Sequence, residues 1–168
     1  MKIIPKNLRA SSFVEVMVVM AIIAIMTGVV TGLFGTSRVN KELETNAREF
    51  VGVLREAQTY ALTGKLATPN TIPCGFGVNW NGSSYTLTYN SKATSGSVCN
   101  STVITTHNLK NGVTVSSSGT LYFSVPYANL SPGFPSGVQF NKGGKSYFVC
   151  IYSGGLITDR LTSCPSTP

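Results

Sequence analysis

With 168 residues, the chain has room for one small domain and a long flanking segment, but not for a two-domain enzyme. There is one histidine, His107, and one aspartate, Asp159, and beyond the apolar run every glutamate falls on one amphipathic stretch, so no catalytic constellation is found and no enzyme activity, cofactor or metal is expected. The net charge of +7 falls to +4 once Lys2, Lys6 and Arg9 are set aside, a modest basic excess for the remainder.

The chain opens with a short basic segment and then turns apolar. Residues 11–35 read SSFVEVMVVMAIIAIMTGVVTGLFG, and no charged side chain occurs over 16–37. At about 1.5 Å of rise per residue, such a run matches a hydrocarbon core about 30 Å thick, which predicts a transmembrane helix over 11–37. Lys2, Lys6 and Arg9 precede any acidic residue, so the positive-inside bias keeps the first ten residues cytoplasmic and the rest outside. Glu15 lies at the edge of the run, where a lone charge in lipid costs about 2.5–3.5 kcal/mol.

A glutamate followed at 16–25 by VMVVMAIIAI resembles the N-terminal methylation motif of type IV pilins and type II secretion pseudopilins. In that family the glutamate is the fifth residue of the mature chain, which places the cut between Ala10 and Ser11. The resemblance implies removal of a leader, 1–10, by a prepilin peptidase, and methylation of the new amine on Ser11. It also implies assembly with other pilin subunits on an inner-membrane platform, from a single-pass inner-membrane precursor into an extracellular pilus or periplasmic pseudopilus. The family usually has Gly before the cut and Phe after it, whereas this chain has Ala10 and Ser11, and cutting before Phe13 would make the glutamate third. A physical role favours the first register: Glu15 becomes a satisfied charge when the amine of a neighbouring Ser11 meets it, which couples leaving the lipid to docking. The plainer alternatives are a signal anchor with an interfacial glutamate, or a secretory signal peptide, for which the apolar run is too long. Gly28 and Gly32, followed by Gly35, permit close helix approach or local loosening.

Over 38–64 the apolar residues Val39, Leu43, Ala47, Phe50, Val51, Leu54, Ala57 and Ala61 recur at helical spacing, and Gly64 stands where a C-terminal cap would. Residues 65–75 read as a loop, and the period then changes. Short alternating runs at 76–80 and 85–89 flank Asn81-Gly82-Ser83-Ser84 as a hairpin, and 90–101 reads as a long polar loop. Further strands are predicted at 102–107, 113–115, 120–125, 137–140, 146–152 and 156–158, with turns at Asn111-Gly112, Ser118-Gly119, Gly143-Gly144 and Gly154-Gly155. The prolines of 126–135 bar that stretch from a central strand. The expected class is α+β and pilin-like: a long N-terminal helix, transmembrane in its first half, packed on an antiparallel β-sheet formed by 65–168. In layout this is similar to the FimT/GspH-like minor pilins.

Four cysteines, Cys74, Cys99, Cys150 and Cys164, all follow the apolar run, in a compartment where disulfides persist. They allow three connectivities; Cys74 with Cys99 and Cys150 with Cys164 is preferred because each bond then staples a local excursion. A zinc site lacks a C-x-x-C pair and a second histidine. Two binding alternatives stand beside the structural-subunit reading. Lys142, Lys145 and Arg160, with Tyr147 and Tyr152, offer cations beside aromatics for DNA, against which Asp159 adjoins Arg160. The aromatic-rich 122–140 stretch suits a tip adhesin. Asn81, Asn100 and Asn129 begin N-x-S/T triplets, which are common by chance.

Overall fold

The computed structural model describes residues 13–67, 69–130 and 136–165, apart from the side chains of 30–36 and 136. The leader 1–10, the bond between Ala10 and Ser11, and the Ser11 amine lie outside the described residues. Two compact units make up the chain, Met1–Arg38 and Val39–Pro168. Helix α1, Phe13–Thr63, contributes to both.

In the first unit every described side chain of 13–29 is exposed. The structure corrects the membrane reading of this segment: among the described residues, no helix is long and apolar enough to cross a membrane. The transmembrane segment 11–37, the pilin-like class built on it and the single-pass inner-membrane localisation are therefore overturned as expectations.

The second unit has its own core. The α1 residues Leu43, Ala47, Phe50, Leu54, Ala57 and Ala61 are almost fully buried and recur on one face at three- and four-residue steps. The helix stops where its sequence says it should: Gly64 takes φ 61°, and the Lys65 amide donates back to the Tyr60 carbonyl at 3.1 Å, closing the last turn.

The strands divide into two antiparallel sheets rather than the single sheet expected. The first contains β1 (Ile72–Asn81), β2 (Ser84–Lys92), β3 (Asn100–Asn108), β5 (Gly119–Ser124) and β6 (Asn129–Leu130), in the order β3-β2-β1-β5-β6. The second contains β4 (Thr114–Val115), β7 (Ser136–Lys142), β8 (Lys145–Ile151) and β9 (Ile157–Arg160), in the order β4-β7-β8-β9. The division starts at the Asn111-Gly112 turn, where both residues adopt positive φ, 59° and 70°. That turn carries the chain from β3 into β4, which belongs to the other sheet. Strand β4 also ties the sheets together, because Val115 pairs with Phe140 of β7 while its amide donates to Gly82 O in the β1–β2 turn at 2.8 Å.

The inner faces of both sheets meet α1. Phe76, Val78, Leu87, Tyr89, Leu121 and Phe123 line the first; Val138, Phe140, Tyr147, Val149 and Ile151 line the second. Phe50 sits where all three meet, edge-on to Trp80 at 5.7 Å, Tyr85 at 5.1 Å and Phe140 at 5.5 Å. On the outer face of the first sheet, Tyr122 lies over Gly75. A Cβ at that glycine would stand 2.1 Å from the Phe123 carbonyl oxygen and 2.8 Å from Tyr122 Cζ, so no other residue fits there.

Candidate functional site

The feature that calls for a function is the first part of α1. Phe13 is 74% exposed, Met20 64%, Ile25 68% and Met26 66%, in a stretch with one ionisable side chain. Glu15 lies among them, lining a shallow stripe with Val16, Val19, Met20 and Ile23. These positions fall at three- and four-residue steps, so the carboxylate and the aliphatic groups share one helical face. Full burial of each large apolar side chain is worth about 1.5–3 kcal/mol, and a contiguous surface of this kind marks an association site.

The cysteines are joined as Cys74–Cys99 and Cys150–Cys164, with Cα separations of 6.3 and 5.5 Å. Cys74 lies in β1 at a register shift, and its bond holds the polar loop before β3 against that strand. Cys164 fastens the tail to the outer face of β8 and rests against Gly137, where a Cβ would stand 2.9 Å from its sulfur.

The three cations considered for DNA do not share a face. Lys142 and Lys145 are opposite one another at the β7–β8 hairpin. The Lys142 ammonium donates to Glu42 Oε2 and to the Asn111 carbonyl, which commits it to tying the hairpin to α1 and the β3–β4 turn. Arg160 pairs with Phe148, one residue out of phase with the inward-facing Tyr147 and Val149, and so belongs to the other side of the sheet. Tyr147 and Tyr152 are 6% and 4% exposed, with no ring face free for stacking on bases.

Sequence reasoning missed the polar seam between α1 and the second sheet. Asp159 accepts a hydrogen bond from the Tyr147 hydroxyl at 2.7 Å and meets Arg48 Nε at 3.5 Å, while Arg48 also pairs with Glu44 at 2.6 Å. The Tyr147 bond comes first among the causes that hold the Asp159 carboxyl below its ordinary range. Burial comes first in pushing the Tyr147 phenol up to about 12. Further along α1, Asn46 is 3% exposed; it accepts the Lys110 amide at 2.8 Å and donates to the Glu42 carbonyl at 2.8 Å. Lys110 Nζ reaches Glu49 Oε1 at 2.8 Å. The helical spacing of Glu42, Asn46 and Glu49 was the available signal, but it gave no hint of which loop would meet them. His107 stacks on Tyr85, ring centroids 5.1 Å apart and 10° from parallel. Among the described residues, no group of His, Cys, Asp and Glu is placed to hold a metal ion.

The chain matches no protein-family model, no curated protein and no solved structure.

Proposed function

We propose that the chain is a structural subunit of a filament of the type IV pilus or type II secretion pseudopilus class, cut between Ala10 and Ser11 and joined to its neighbours through the first part of α1. The observation that carries this reading is the exposed apolar surface of 13–29 with Glu15 set into it. Copies of the same helix supply one another's burial without need of a second protein, and each large side chain removed from water contributes about 1.5–3 kcal/mol. Inside such a bundle the amine that processing would create on a neighbouring Ser11 would give the Glu15 carboxylate an oppositely charged contact between copies. The second unit fits the role of a passenger, because its core is built entirely from residues between Leu43 and Ile157. In this proposal the other partners are a prepilin peptidase and an assembly platform.

Two measurements test it. Mass spectrometry of chains recovered from purified fibres should find an N-methylated Ser11 at the end; chains that retain Met1 would sink the proposal. Replacing Glu15 by Ala should lower incorporation into fibres by about tenfold or more, since the lost charge pair biases every docking step. Fibre yield equal to that of the unmodified chain would remove the assembly role of Glu15.

A further inference from the structure

Strand β3 is a long edge with only one of the usual guards. It is first in the order of its sheet, so one side pairs with β2 while, among the described residues, no strand pairs with the other. It has nine residues, against two in β6 at the opposite edge and two and four in β4 and β9 at the edges of the second sheet. All of its residues are exposed except His107, which is half-buried; Val103 is 57% exposed and Ile104 40%. Edge strands are normally blunted by charged side chains, by proline, by shortness or by a bulge. Its sequence, NSTVITTHN, has no charged residue and no proline. The one guard present is a register shift opposite Leu87/Thr88, and it falls at Ile104, the middle of the strand.

The order of residues supplies the partner. Read outward from Ile104, the strand nearly mirrors itself: Val103 and Thr105, Thr102 and Thr106, Ser101 and His107, Asn100 and Asn108. We propose that β3 pairs with β3 of a second copy, antiparallel, about a two-fold axis through Ile104. This is a self-complementary contact, in which each residue meets the mirror position of its partner. It sets Ile104 against Ile104, β-branched Val103 against Thr105, Thr102 against Thr106, and Asn100 against Asn108, with no like charges opposed. The irregularity at Ile104 lies on the axis, where both copies share it. A heterologous strand would gain the same backbone bonds but not this residue-by-residue match. The contact is separate from the α1 surface and does not depend on the filament reading.

The register is testable with introduced thiols, because among the described residues no cysteine is free. Residues directly opposed in an antiparallel pair have Cα atoms about 4.5–5.5 Å apart, within reach of a disulfide. In the full chain dispersed in mild detergent, Ile104→Cys should oxidise to a covalent dimer. Asn100→Cys alone should not, and neither should Asn108→Cys alone, since the two copies of either residue lie about 26 Å apart in this register. An equal mixture of the two should cross-link about tenfold or more faster than either alone, as opposed thiols have a far higher effective concentration than colliding ones. Association through α1 imposes no such pattern on β3. Absence of the Ile104→Cys dimer, or Asn100→Cys alone linking as fast as the mixture, overturns the proposal. All three substitutions are at exposed positions of the edge strand, and thermal melting with both native disulfides retained verifies the fold of each.

Discussion

At the scale of single residues, the second unit is held by a few polar contacts that substitution can interrogate. Lys142 and Glu42, 24% and 14% exposed, join β7 to α1 across a partly buried boundary. Lys142→Met removes the ammonium from both Glu42 and the Asn111 carbonyl, and should lower unfolding free energy by about 1–3 kcal/mol, read from the urea midpoint. Replacing Glu42 by Leu as well should recover part of that loss, because no charge is then left at the boundary. Asp159 and Tyr147 give a pH signature of known sign. The Asp159 carboxyl is depressed on folding, chiefly by the Tyr147 hydroxyl and further by Arg48, so its contribution is present above the ordinary carboxylate value and is lost as pH falls through the folded one. The Tyr147 phenol is raised to about 12, so its contribution is present below the ordinary tyrosine value and is lost as pH rises through about 12. Tyr85 is raised likewise, to about 12, first by burial. Thermal midpoints measured across pH should therefore show a weaker acid limb in Asp159→Asn, and weaker acid and alkaline limbs together in Tyr147→Phe.

At the scale of elements, some of the fold was legible and some was not, for physical reasons. The stripe from Leu43 to Ala61 could be read because a helix buries one face at fixed spacing, and Gly64 because a left-handed cap favours a residue without a Cβ. The start of β1 was hidden. Pro73 and Gly75 look like loop residues, yet the strand begins at Ile72, and Gly75 is there because Tyr122 lies on it. The partition into two sheets was not legible either, since alternation along a strand tells which face is buried but not which strand lies beside it. Strand β4 shows this most clearly, pairing with β7, which lies beyond β5 and β6 in the chain. The disulfides act at this scale by closing the β1–β3 excursion and the tail, with sequence separations of 25 and 14. Loop-closure entropy assigns each about 3 kcal/mol, so replacing either pair by alanines should lower the unfolding free energy by about that amount in calorimetry. The Cys150–Cys164 loss should release the tail from Gly137 while leaving the first sheet intact.

At the scale of the whole molecule, the two units contrast in what they bury. The first was legible in composition, since exposed methionines and β-branched residues around Glu15 announce a surface that seeks company. Its reading as a membrane span rested on an uncharged count through 37, and it is overturned because among the described residues no helix is long and apolar enough to cross a membrane. The second unit carries its own core and leaves β3 bare, which no periodicity reveals because edge and centre strands share the same alternation. One further property follows from the aromatic centre. Trp80 is the only tryptophan in the chain, 6% exposed, and touches the α1 ring of Phe50. The molecule thus contains a single indole fluorophore at the seam between helix and sheet, an optical gauge, when excited at the red edge where tyrosine does not absorb, of whether the two stay docked.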